Sequence, residues 1–191
     1  MADMSEQLDV LLRRLEIDKS HHARRANDVM ESELTQAVAR HLRDGRVIAS
    51  SYTWHEMREV MPGDLDGLVV GSLPDTQEDV IVVCEARHDM ATEWQEAVDQ
   101  LLGNVNRLTD LWDDDDNQYR EKDASNLMVS ELQGRKIIVA VGGAAFGEDV
   151  RSRVQSRLWR RGLRAGWVQV QLDGESVVNV HMPNLKNGRE A

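Results

Sequence analysis

The chain has 191 residues, 30% of them charged, with a net charge of −11 and a single cysteine. That length suits one domain able to bury its own core, and one cysteine excludes a disulfide framework, which favours an intracellular address, cytoplasmic or nuclear, over secretion. No apolar run approaches the roughly 20 residues that span a bilayer, and no basic patch leads into an apolar stretch at the start, so no membrane role is expected.

An acidic balance argues against nucleic acid, whose partners carry a basic face, but the charge is unevenly spread. Residues 1–133 hold 13 basic and 29 acidic side chains, net −16, whereas residues 134–191 hold 10 and 5, net +5.

In chain order, Leu8, Leu11, Leu12 and Leu15 recur at helical spacing. They predict an N-terminal helical extension over 1–20. It is read either as a short coiled-coil arm that would pair copies of the chain into a homo-oligomer, or as a helix packed on its own domain. A second helix is expected within 21–44, on Val29, Leu34, Val38 and Leu42, with Asp44-Gly45 as its stop. The period then changes. Strands are expected over 46–52, 64–71 and 79–87, with turns at Pro62-Gly63 and around Pro74. Val80-Ile81-Val82-Val83-Cys84 is apolar on both faces, which places the third strand centrally, with Cys84 as a small buried hydrophobe.

Residues 91–112 carry the broadest apolar stripe of the chain, from Trp94 to Trp112, and predict a helix across the sheet. The stretch 113–133, opening with four aspartates, reads as a solvated acidic linker. A buried strand over 136–143 follows, then a basic helix over 148–161 and a last strand or hairpin over 167–180. The Gly142-Gly143 pair lacks the spacing of a phosphate loop and reads as a strand-to-helix turn. The fold class is α/β, a mixed central sheet flanked by helices, with the domain over 21–182 and a tail over 183–191.

Acids sit on two adjoining strands. Residues two apart in a strand share a face, so Asp64 goes with Asp66 and Glu85 with Arg87. Pairing the strands brings Asp66 beside Glu85. Glu85 also closes an apolar run, where a charge is seldom placed without a partner. Two carboxylates brought together repel unless a cation compensates, and oxygen-only ligands suit a hard ion such as Mg²⁺.

At Asp66-Gly67, the apolar strand and Glu85-Ala86-Arg87, preceded by an acidic helix and followed by a long amphipathic one, the sequence resembles the PD-(D/E)XK nuclease superfamily, the restriction-endonuclease-like fold. The resemblance spans roughly residues 21–182 as an order of elements rather than as identity. It implies an αβββαβ core and metal-dependent hydrolysis of DNA phosphodiesters. Asp66 and Glu85 would hold Mg²⁺ or Mn²⁺, and the metal would lower the pKa of a bound water. The family's helix glutamate would be matched by Glu33 or by Glu31, which lie about 200° apart on a helix. Gln100 and Glu96, one turn apart, stand where some members carry a supporting glutamine.

The departure is Arg87, where the family has lysine. An arginine can hold a phosphate through charge-assisted bonds but keeps its proton, so it does not replace a lysine whose task is to activate water. A catalytically degenerate binding module is therefore the alternative to a nuclease, and an oligomeric interaction protein built on the N-terminal leucines is the third class. On the basic helix, Arg153, Arg157, Arg160 and Arg164 form one stripe. Such a stripe either tracks DNA phosphates or pairs with acids of the same protein. The six histidines show no zinc spacing.

Overall fold

The computed structural model describes residues 30–50, 65–113, 134–144, 146–171 and 176–181. The N-terminal extension with its leucines, the turn at Pro62-Gly63, Asp64, the acidic linker beyond Asp113 and the tail over 183–191 lie outside the described residues.

Within them, α1 covers residues 30–41. It is followed by β1 (Arg43–Ser50), β2 (Gly67–Ser72), β3 (Asp79–Asp89), α2 (Met90–Asp113), β4 (Lys136–Ala144), α3 (Glu148–Trp159), β5 (Ala165–Gln171) and β6 (Ser176–His181). The strands form one sheet in the order β1-β2-β3-β4-β5-β6. β1, β2 and β3 make an antiparallel meander, β4 and β5 add in parallel, and β6 closes antiparallel. The expected mixed sheet flanked by helices is what the chain forms. α2 and α3 are the crossovers that parallel strands require.

β3 is the central strand, paired with β2 on one side and β4 on the other. Its residues Val80 to Ala86 are all buried, as a strand covered on both faces must be. Alternation divides them. Ile81 and Val83 join Leu68, Val70, Val139 and Val141 under α2 and α3, where Ala97, Val98, Leu101, Leu108, Val154 and Leu158 close that half of the core. Val80, Val82, Cys84 and Ala86 join Val69, Ile138 and Ala140 under α1, packed by Met30, Leu34, Ala37, Val38 and Leu42.

Two glycines set the path of α1. A Cβ on Gly67 would run into the Thr35 side chain, and one on Gly71 would stand 2.8 Å from Leu42 Cβ. α1 therefore lies almost on the backbone of β2 and travels in the same direction, Thr35 beside Gly67 and Leu42 beside Gly71. It ends at residue 41, before the expected Asp44-Gly45 stop, and Asp44, in the left-handed region at φ 53°, falls within β1. β1 starts at Arg43, earlier than the expected 46, because Arg43 already pairs with Ser72 across a register shift. Among the described residues no helix is long and apolar enough to cross a membrane.

Candidate functional site

Register brings the acids together. Gly67 stands opposite Cys84 in the β2–β3 pair, so the antiparallel ladder puts Asp66 opposite Glu85. Both are nearly inaccessible, Asp66 at 4% and Glu85 at 0% relative exposure. Asp66 sits in a bend just before β2, and its Oδ2 accepts the Ala86 N–H at 2.7 Å. That bond does the work of a ladder rung while fixing the carboxylate against β3.

Arg87 continues the Ile81-Val83-Glu85 face of β3 and lies under α2. Its Nη1 is 2.5 Å from Glu85 Oε1, an ion pair without the angular geometry of a hydrogen bond, and 3.7 Å from Asp66 Oδ2. The same Nη1 donates to the Ala86 carbonyl at 2.8 Å, while Nη2 donates to Gln100 Oε1 at 2.5 Å. One guanidinium thus meets both carboxylates, and an amide from α2 holds its other arm. Gln100 is brought to the group; Glu96 is exposed. Across the sheet, a Cβ on Gly143 would run into the Arg87 carbonyl, so the glycine before the α3 crossover serves a close approach of β4 to this end of β3. Gly142 and Gly143 both lie inside β4, paired with Ala86 and Arg87 of β3, rather than in the expected strand-to-helix turn.

Two buried acids also mark their neighbour. The Cys84 thiol, on the opposite face of β3, is pushed well above its ordinary pKa, first by burial, then by the negative charge of Asp66 and of Glu85.

The helix acids separate by face. Glu33 lies 3.9 Å from Arg40 in a pair whose side chains are 36% and 64% exposed. Glu31 instead shares the stripe of Leu34, Thr35, Val38 and Leu42 and is half-buried. Its carbonyl accepts the Thr35 hydroxyl at 2.7 Å. Since Thr35 abuts Gly67, Glu31 stands one turn, about 6 Å, further toward the Asp66 end of β2. It is on the α1 face of the sheet, while the other acids are on the α2 face.

The expected arginine stripe divides too, and Arg164 lies past the end of α3. Arg157 pairs with Asp99 on α2, and Arg164 stacks on the Trp159 ring with its guanidinium carbon 4.4 Å from the centroid. Arg153 and Arg160 are exposed and line a groove with Trp94. Trp94 had reason to be read as plain apolar stripe; an indole also packs on a core with one edge at the surface.

Among the described residues no group of three or more His, Cys, Asp or Glu side chains is gathered as a metal site. The donors present, two carboxylates and a side-chain amide, are all hard oxygen ligands. The donor chemistry fits a hard divalent cation. Comparison with protein-family models, with curated proteins and with solved structures finds no match for the chain.

Proposed function

We propose that the chain is a metal-dependent nuclease of the PD-(D/E)XK type acting on DNA phosphodiesters, with Asp66 and Glu85 as its carboxylate pair and Arg87 at the lysine position. The observation that carries the reading is the convergence of Asp66, Glu85, Arg87 and Gln100 in one nearly dry spot at the end of β2 and β3. Burying two like charges together costs free energy that a packing role alone does not repay. The order α1-β1-β2-β3-α2-β4, with β4 parallel to β3, agrees with the αβββαβ core that the resemblance implies.

Asp66 and Glu85 would hold Mg²⁺ or Mn²⁺, which supplies a water of lowered pKa and offsets charge on the phosphorus oxygens. The chain's own groups do the rest. Ala86 N–H aims the Asp66 carboxylate, and Gln100 fixes the guanidinium plane of Arg87. Arg87 then offers charge-assisted donors to a phosphate oxygen and remains a cation throughout, a stabiliser of charge rather than a base. Of the helix acids, Glu31 rather than Glu33 is the one on the side of the sheet-facing stripe.

The second reading, a degenerate nuclease fold kept for binding, is favoured by one contact. Arg87 Nη1 lies between the two carboxylates and can act as their resident cation. Cleavage of end-labelled single- and double-stranded DNA with Mg²⁺ or Mn²⁺ tests both. Metal-dependent cleavage that Asp66→Asn and Glu85→Gln abolish supports the nuclease. Inert wild-type protein, with activity appearing in Arg87→Lys, supports the degenerate module.

A further inference from the structure

The groove between α2 and α3 is lined by Trp94, Ser152, Arg153, Ser156, Arg157 and Arg160 and encloses ≈ 430 Å³, room for about one nucleotide. No carboxylate lines it, in a chain that carries −11 overall. Asp99 of α2 pairs with the groove residue Arg157. Arg160 donates from Nε to the Ser156 carbonyl at 3.3 Å, a bond that engages neither of its terminal amines. Arg153 and Arg160 are seven residues apart, about 10 Å along a helix axis at 1.5 Å per residue. Trp94 packs on the core cluster beneath α2, which fixes its ring, and keeps part of its surface in the groove.

A fixed aromatic ring sharing a groove with two separated arginines, with Ser156 between them along the chain, is a combination suited to a single strand of nucleic acid. A base stacks on the ring and the phosphates on either side meet the guanidinium groups. A paired base has no free face to offer a ring set within a groove. We propose that this groove binds single-stranded DNA, one base on Trp94 and flanking phosphates on Arg153 and Arg160. The choice of DNA rests on the nuclease reading above, but the binding does not depend on the carboxylates or on a metal.

Fluorescence anisotropy of a labelled 15-nucleotide oligothymidine, with the full chain in EDTA and over a series of salt concentrations, tests it. Trp94→Ala is expected to weaken binding roughly five- to a hundred-fold, and Trp94→Phe, which keeps a stacking ring, only slightly. Arg153→Ala and Arg160→Ala should each weaken it and flatten the logarithmic salt slope by about 0.7. A duplex of equal length should bind at least about tenfold more weakly. Equal affinity for the duplex or for polyglutamate overturns the proposal. So does unchanged affinity in a folded Trp94→Ala protein. Should that variant not fold, oligothymidine binding that survives in Arg153→Glu/Arg160→Glu overturns it equally. Loss of this binding leaves a Mn²⁺ titration of the carboxylates untouched, and absence of Mn²⁺ binding leaves this result untouched, so the two failures are told apart.

Discussion

Arg87 Nη1 and Glu85 Oε1, two residues apart on one strand, meet at 2.5 Å where the glutamate side chain is 0% and the arginine 15% exposed. A same-strand pair of this kind on a surface is worth well under about 1 kcal/mol. Here removal of one partner strands a charge in the core. Arg87→Met is expected to cost about 3–5 kcal/mol in urea unfolding, and Glu85→Gln/Arg87→Met to recover most of it. A single-variant loss under about 1 kcal/mol would show that the pair behaves as an exposed one.

Gly67 follows the metal-candidate aspartate for a packing reason that has nothing to do with metal. Its bare Cα admits the Thr35 side chain of α1. Gly67→Ala is expected to destabilise the protein by about 1–3 kcal/mol through overpacking. Thr35→Ala in the same chain removes the clashing hydroxyl and methyl, so the double variant should be more stable than the two separate effects imply. Simple additivity in chemical denaturation would contradict the contact.

Glu31 and Glu33 make opposite predictions. Glu31 lies on the stripe that faces the sheet, at the Asp66 end, whereas Glu33 sits with Arg40 at the surface. Glu31→Ala, which truncates a half-buried side chain on the stripe that faces the sheet, should destabilise the protein by about 1 kcal/mol and spare Mn²⁺ affinity, because the Asp66 and Glu85 side chains lie on the other face. Glu33→Gln should leave both Mn²⁺ affinity and stability nearly unchanged, as an exposed pair contributes little. Equal effects of the two on stability, measured by scanning calorimetry, would count against the placement of α1.

Cys84 offers a pH test in metal-free buffer. Its thiol pKa is raised in the folded protein by burial and by Asp66 and Glu85, while the unfolded chain titrates it near about 8.5. The folded state therefore binds the proton more tightly. The stabilisation is fully present below the unfolded pKa and is lost as pH climbs above it, by at most about 1.4 kcal/mol per pH unit. Cys84→Ala should flatten that alkaline slope. Native protein should also resist alkylation at pH 8–9 and react only once unfolded; rapid labelling of the folded chain would contradict the burial.

The pattern of elements was legible because it is set by local periodicity. The expected strands over 64–71 and 79–87 and the helix over 91–112 correspond to Gly67–Ser72, Asp79–Asp89 and Met90–Asp113, each within a few residues. The apolar run ending in Glu85 likewise gave away a central strand with a charge at its mouth. What could not be read was anything that depends on which way a long side chain turns. Arg87 was visible as a departure from lysine, but not as a bridge between Glu85, Asp66 and Gln100, since χ angles are chosen by the α2 packing. The four arginines share a spacing, yet α3 ends before Arg164, which turns back onto Trp159, and Asp99 takes Arg157 through a contact that only tertiary structure creates. Glu31 and Glu33 stayed equivalent until Gly67 fixed the rotation of α1.

Calorimetric titration of Mn²⁺ into EDTA-stripped wild-type protein and into Asp66→Asn tests the carboxylate site most directly, without knowledge of the substrate. Asparagine keeps an acceptor for the Ala86 N–H and so spares the strand contact while removing the charge. A single-site isotherm in the wild type that disappears in Asp66→Asn is the expected result. The same isotherm in both proteins, or no binding in either, would contradict a divalent-cation site at Asp66 and Glu85.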